Sequence, residues 1–425
     1  MIFLEIIKLM IIIIKEFINY FFGKGYEEII IDILKKLSNY NIIFTKIFQW
    51  TSENKLLTHK IRTHLKEYTN NVSYNEKNIN YKCLLNTVLY SNTQNNKLEI
   101  TDITNPINSG SISLIFDGKL NDKKIIIKIL RKDIKKTVDK GLDLLVSIGY
   151  IMSFIPKIRS LMFNKLIEKN KQNILNQLNF EKEVNNLHFF YNKFKSHKYI
   201  DTPKVYSEYT ENDKNIIIMD YVDGKYLSEL TKEELNNYYY SFTKFIIKSI
   251  FGKQVLHGDV HPGNIKFFEE IVDEKTVHKI GVIDMGMVFD LNTDNVNFLY
   301  LFFLGMFNNE FMKFIKYIND DNNLNMVFEN NNKENINKCM NELKHKYEKK
   351  EIFASFKNID AIVMNIYLLL EIVNDNNCEF KDNINKMILA VIPIIGIIEK
   401  LGPDINKNKY MREELLKFNQ EGLFE

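Results

Sequence analysis

The chain has 425 residues, 45% hydrophobic and 26% charged, which is ordinary for a globular protein and enough to bury a sizeable core in two or three packed units. A formal net charge of +3 is too small to argue for nucleic acid as a partner, and no basic run is interleaved with aromatics as a strand-binding groove requires. Cys83, Cys339 and Cys378, odd in number and far apart in sequence, suit reduced thiols rather than a disulfide framework or a metal site.

Residues 1–22 are strongly apolar but broken by Glu5, Lys8, Lys15 and Glu16. Their uncharged stretches, such as Leu9–Ile14, fall far short of the ~20 residues that span a bilayer. Neither a signal peptide nor an arginine-rich presequence fits. The expectation is a cytoplasmic protein whose first helix either lies on a membrane surface or packs on the body as a buried helix. Ile29, Ile30, Ile33, Leu34 and Leu37 recur at steps of three and four, so residues 1–100 read as helical.

From Pro106 the pattern changes. Ser111–Ile115 and Lys124–Leu130 are β-branched runs that read as strands, joined by turns at Asp117-Gly118 and Asn121-Asp122. A long helical stretch follows, closing with Phe180–Lys195, and Asn215–Val222 is a further strand ended by Asp223-Gly224. Beyond it the chain is mainly helical, apart from short strands around residue 260 and one at Lys279–Ile283. Leu144–Pro156 and Met387–Ile398 are uncharged but too short to span a membrane, and read as buried helices. Asn319–Asn337 reads as an exposed loop or a ragged helix connection.

The chemistry is concentrated in His257-Gly-Asp-Val-His-Pro-Gly-Asn264 and Ile283-Asp-Met-Gly286. Asp259 and Asn264 have the spacing of a kinase catalytic loop, in which the Asp handles the acceptor proton and the Asn ligates magnesium. Asp284 takes the place of the Asp that holds metal against the β- and γ-phosphates. Phosphoryl transfer asks for such groups because its transition state is mostly spread negative charge. Lys128, closing Ile-Ile-Ile-Lys, is the candidate for the strand lysine that grips the α- and β-phosphates, and Glu183 for the acid that orients it. No Gly-x-Gly-x-x-Gly or Walker loop occurs; Asn108-Ser-Gly-Ser-Ile-Ser113 stands there instead. Ser109, Gly110 and Ser111 are its candidate phosphate contacts, the serines through hydrogen bonds and Gly110 through close backbone approach. His257 and His261 are expected to orient the loop rather than to move protons. The basic residues are nearly all lysine, with only Arg62, Arg131, Arg159 and Arg412 as exceptions; this reads as the imprint of an AT-rich coding sequence.

Together these features resemble the UbiB (ADCK-like) atypical kinases, from about residue 40 to 406. That family's Ala-Ala-Ala-Ser is matched by Asn108-Ser109-Gly110-Ser111, its Lys-x-Gly-Gln by Lys46-Ile-Phe-Gln49, and its Glu-x-Asp and Arg-Glu-Ala by Gln177-Leu-Asn179 and Lys182-Glu183-Val184. Its Ala-Asp-Pro-His-Pro-Gly-Asn is matched by Gly258–Asn264, its Ile-Asp-Phe-Gly-Met by Ile283–Met287, and its C-terminal tail by Ile398–Asn406. Phe48 replaces a family glycine, and Gln177 and Asn179 replace acids. In the family those motifs are thought to pack over the nucleotide site, so the departures put that occlusion in doubt.

The resemblance implies an α+β, two-lobed protein-kinase-like fold: a helical extension over residues 1–105, an N-lobe with a helical insert over 106–222, and a largely helical C-lobe over 223–425. It also implies ATP and magnesium as cofactors, an acceptor that is a lipid or other small molecule, and a link to isoprenoid-lipid metabolism of the ubiquinone kind. Two other readings fit the loop: a small-molecule phosphotransferase of the aminoglycoside- or choline-kinase kind, and a pseudokinase scaffold that binds nucleotide without turnover. The helical preface tells against the first, and the intact Asp259, Asn264 and Asp284 set against the second.

Overall fold

The computed structural model describes residues 2–51, 58–66, 72–152, 171, 174–329, 332–352, 359–402 and 407–420. They belong to two compact units, one of Met1–Asn185 with Lys204–Tyr221 and one of Asn186–Pro203 with Val222–Glu425.

The first unit opens with helices α1 (Ile2–Phe21), α2 (Tyr26–Tyr40), α3 (Ile42–Thr51), α4 (His59–Lys66) and α5 (Tyr81–Thr93). One side of α1 is packed: Leu9 and Glu16 are buried, and the Glu16 carboxylate accepts from Lys36 of α2 and from Asn19. The other side is apolar and open. Leu4, Met10, Ile11, Ile14, Ile18 and Phe21 are all exposed, recurring at helical spacing along one stripe. The first helix is therefore packed on one side, where a buried carboxylate anchors it, and exposes its hydrocarbon on the other. On α3, Phe48 is buried near Phe44, with ring centroids 6.4 Å apart, so the residue that replaces the family glycine is core.

The sheet of this unit starts earlier than the helical reading of residues 1–100 allowed, at β1 (Leu98–Ile100), and continues through β2 (Asn108–Ser109), β3 (Ser113–Leu120) and β4 (Lys123–Leu130). After β4 come α6 (Ile134–Met152), which includes the start of the uncharged stretch whose residues 153–156 lie outside the described residues, then β5 (Ile200–Asp201), in the second unit, and β6 (Ile216–Asp220). The order is β1-β3-β4-β6, with β2 also on β3 and every pairing antiparallel.

Asp117-Gly118 is not a turn: both residues lie inside β3, paired with Ile126 and Ile125. The reversal is made by Asn121-Asp122 alone, at φ 49° and 67°, the two left-handed residues that a two-residue hairpin needs. Gly118 has another reason. A Cβ there would sit 2.2 Å from the Glu99 carbonyl oxygen of β1, so glycine admits the edge strand. Alternation then sends Leu114, Phe116, Leu120, Ile125, Ile127, Ile129, Ile216 and Ile218 into one core with Cys83 and Leu84 of α5.

In the second unit, β7 (Val255–His257) pairs with β10 (Val288–Asp290), while β8 (Ile265–Val272) and β9 (Lys275–Val282) form a hairpin joined in parallel by β5. The strand expected at Lys279–Ile283 is the second arm of that longer hairpin. The helix Lys232–Ile247 packs on it through Tyr238, 5.2 Å from the Phe267 ring, and further helices pack on one another: Phe298 and Phe302 of Thr293–Phe307 lie 5.3 and 5.4 Å from the Phe314 ring. Most of Met387–Ile398 is buried within the helix Asp382–Leu401. Asn319–Asn337 is a ragged helix connection; it carries a short helix, Asp321–Val327, with Leu324 and Val327 buried, and residues 330–331 lie outside the described residues. Cys339 and Cys378, distant in sequence, meet in this unit as buried thiols, and burial pushes Cys339 up to about 12. Among the described residues, no helix is long and apolar enough to cross a membrane.

Gly118→Ala is expected to cost about 1–3 kcal/mol by pushing β1 off the sheet. Chemical denaturation read against the unsubstituted protein measures it, and an unchanged midpoint would mean that β1 moves aside without cost.

Candidate active site

In the first unit, the register sets Lys128 between Ile115 of β3 and Ile217 of β6, on the face opposite the α5 core. A lysine there is buried, at 6% exposure, and needs a partner. Glu183 is equally buried and takes its Nζ at 2.5 Å. The Phe180 ring lies 5.7 Å from the same nitrogen. Glu183 sits in the first turn of the helix Phe180–Phe194. Asn179 starts that helix: its side-chain oxygen accepts the Lys182 N–H at 3.2 Å and its carbonyl the Glu183 N–H at 3.3 Å. The amide standing where the family has an acid is thus a helix cap. Lys46 is half-buried on α3, and the Gln49 side chain lies outside the described residues, as does residues 403–406 of the tail motif.

The loop before β3 is held from behind. Ser109 is fully buried, its hydroxyl donating to the Val72 carbonyl at 2.6 Å and accepting from Arg131 Nη2 at 2.7 Å. Of the two hydroxyls expected to meet phosphate, that of Ser109 is already committed, which leaves the Ser111 hydroxyl and the main chain. The Gly110 N–H bonds the Ser113 carbonyl at 2.9 Å, and Ser111 is buried. A Cβ at Gly110 would find ordinary contacts of 3.5 and 3.6 Å to Ser113, so the fold itself does not demand glycine there. Arg131 is the residue that sequence reasoning missed. Its signal was rarity, an arginine three places after Lys128 in a lysine-rich chain.

In the second unit, β7 delivers His257, which is buried. Its Nδ1 accepts the Asp259 N–H at 3.1 Å, which places the ring proton on Nε2, 2.6 Å from the Asp284 carbonyl oxygen. Burial holds its pKa below the usual histidine value, so the ring is a neutral spacer, as expected of an orienting residue. His261 accepts the Gly263 N–H at 3.1 Å and caps the turn Pro262–Asn264. Asp259 points its exposed carboxylate out of the loop. Asn264 is buried and gives its amide nitrogen to the Asp259 carbonyl at 3.0 Å, which leaves its amide oxygen for a ligand. Its own carbonyl takes the Ile283 N–H at 3.1 Å, tying the strand before Asp284 to the loop. The Asp284 carboxylate accepts the Gly286 N–H at 2.9 Å, and Asn186 donates to the Met285 carbonyl at 2.9 Å.

No group of three or more His, Cys, Asp or Glu side chains forms a metal cage among the described residues. Magnesium does not ask for one. It keeps water and binds through one or two protein oxygens plus substrate phosphates, and the Asn264 amide oxygen and the Asp284 carboxylate are the groups that could hold it in that way.

A buried Lys–Glu pair on an antiparallel sheet and an Asp/Asn loop with a following Asp define the protein-kinase-like class. Residues 92–318, just over half of the chain, match the ABC1 atypical kinase-like domain, and the chain belongs to that family. It is similar to the Probable protein kinase UbiB of Aeromonas salmonicida (strain A449), at 26% identity over 49% of this chain and 39% of the relative. It is likewise similar to the Probable protein kinase UbiB of Blochmanniella pennsylvanica (strain BPEN), at 27% over the same shares. The match thus spans well under half the length of either relative. Looser likenesses among solved structures include the complex structure of Rv3197-erythromycin from Mycobacterium tuberculosis, with TM-score 0.39, 13% identity, and coverage of 71% of this chain and 77% of that one. Another is the Rio2 kinase-ADP/Mg2+-phosphoaspartate complex from Chaetomium thermophilum, with TM-score 0.34, 12% identity, and coverage of 82% and 93%.

Burial pushes His197 down to about 4, helped by Lys248 and Lys253, and His257 is depressed by the same main cause. Unfolded, both bind protons near 6.5; folded, they do not, so the unfolded chain gains protons first and stability falls with pH. The melting temperature is expected to be level above about pH 7 and to drop from there toward pH 4. His197→Gln should flatten part of that slope, and an unaltered slope would count against His197 as a source.

Proposed function

We propose that the chain binds ATP with magnesium and transfers or hydrolyses its γ-phosphate, in the service of isoprenoid-lipid metabolism of the ubiquinone kind. The observation that supports this best is the buried Lys128–Glu183 pair at 2.5 Å, a costly arrangement for a sheet that has no use for a cation. In this reading Lys128 holds the α- and β-phosphates, and Asn264 and Asp284 hold the metal. Asp259 orients the acceptor hydroxyl or water and receives its proton. ATP and magnesium supply the phosphoryl group and the charge that draws electrons from it. Nothing in the protein needs to form a covalent bond; its residues position, neutralise and move one proton. Membership of an atypical kinase family and the intact Asp259, Asn264 and Asp284 set support turnover over scaffold binding.

Asp284→Asn is expected to remove the magnesium-dependent part of ATP affinity, read by equilibrium titration with and without excess chelator. Asp259→Asn should keep binding and lower turnover by about 10²-fold or more. If the unsubstituted protein binds ATP equally well in chelator, the metal assignment fails.

A peripheral membrane site is supported by α1. Its exposed Leu4, Ile11, Ile14 and Ile18 form an apolar stripe, and exposed Lys8 and Lys15 run along one edge of it, the pairing that suits an interface of acyl chains and anionic headgroups. Because Leu9 and Glu16 hold the helix from its other side, the stripe is altered without touching the anchor. Ile11→Glu with Ile14→Glu is expected to abolish co-sedimentation with anionic vesicles at an unchanged melting temperature. Full-length protein that ignores such vesicles would remove this reading.

A further inference from the structure

A cation without an anion sits behind the loop at 108–111. Arg131 is 5% exposed. Its guanidinium donates to the Gly110 carbonyl at 3.0 Å, the Ser109 hydroxyl at 2.7 Å, the Val72 carbonyl at 3.3 Å, the Ser73 carbonyl at 3.1 Å and the Asn78 amide oxygen at 3.4 Å. Every one of these acceptors is neutral. No carboxylate pairs with Arg131 among the described residues, and burial is what lowers its pKa, to about 10; the group is still charged at neutral pH. A buried, hydrogen-bonded, uncompensated cation is costly to keep. If a staple were all the loop needed, a neutral donor would serve.

The bond to Gly110 also fixes a direction. In a trans peptide the C=O and the following N–H point opposite ways. With the Gly110 carbonyl turned to the guanidinium, the Ser111 N–H points away from it, and that N–H has no partner among the described residues. Gly110's own N–H is spent on Ser113. One face of the loop is therefore tied to a positive charge, and the other presents an unpaired backbone donor, which is the makings of an anion site.

We propose that Arg131 is a positioning residue for the phosphates of the bound nucleotide: it sets the Gly110–Ser111 peptide so that the Ser111 N–H donates to a phosphate oxygen, and it lends that oxygen its charge from behind. In this chain the fork of one arginine does the work that successive glycine amides do in a glycine-rich loop. The inference rests on the ATP reading above. It deepens that reading by naming what replaces the missing loop.

The test compares adenosine, ADP and ATP, each with magnesium, binding to the full chain and to Arg131→Gln, Arg131→Lys and Lys128→Ala. Arg131→Gln is expected to weaken ADP and ATP by about tenfold or more, the scale of a lost charge-assisted contact, with adenosine changed by less than about twofold. Arg131→Lys keeps the charge but not the fork, and should recover part of the phosphate affinity. If the glutamine variant does not fold, the lysine variant carries the test, since it must still lose ADP and ATP selectively. Equal loss for adenosine and ATP, or no loss in either variant, reduces Arg131 to a structural staple and overturns the proposal. An unsubstituted chain that binds none of the three, matching Lys128→Ala, removes the ATP reading and this inference with it. ATP binding that needs Lys128 but ignores Arg131 overturns the inference alone.

Discussion

A charge on the central strand of a sheet must be answered within hydrogen-bonding reach, and in the first unit Glu183 answers Lys128. Much of the local architecture serves that requirement. The register of β3, β4 and β6 puts Lys128 on the face away from the aliphatic core. The Asn179 cap starts the helix Phe180–Phe194 where Glu183 falls in its first turn. Removing either partner would take the opposite charge at 2.5 Å away from a buried ion, so the two residues specify each other more than they stabilise the fold.

The juxtaposition of the two motif segments was legible in the sequence because the proposed chemistry fixes both residue type and spacing. The structure brings the segments that carry Asp259, Asn264 and Asp284 together through Ile283 and Asn264. Lys128 was legible for a related reason, a lysine closing a β-branched run. What failed was local punctuation. Asp117-Gly118 has the composition of a turn, yet the glycine exists because Glu99, from a different strand, passes within bonding distance of where a side chain would be. No window centred on residue 118 contains that fact. Arg131 failed for the same reason: its partners at Val72, Ser73 and Asn78 are remote in sequence, and a basic residue amid many lysines carries no local mark of burial.

The first helix shows how one polar residue can decide an orientation. An apolar helix left to hydrophobicity alone would bury its richest face. In α1 the buried Glu16, satisfied by Lys36 and Asn19, sets the inward side and leaves the isoleucine stripe outward. The Lys36 bond holds the Glu16 carboxylate below the usual carboxylate range, so it remains an acceptor, and a fixed one. Periodicity in the sequence revealed the helix; only the partner of Glu16 reveals which way it faces.

His257 has both ring nitrogens spoken for by main chain, one by the Asp259 amide and the other by the Asp284 carbonyl. Since a rigid, neutral ring joins them, the two acidic segments cannot drift apart without breaking a buried bond. The segment with Asp259 and the segment with Asp284 are in effect geared: displacing one drags the other. A rearrangement that retracts Asp284 would withdraw Asp259 in the same motion, so this half of the machinery has one degree of freedom where two loops would otherwise have two.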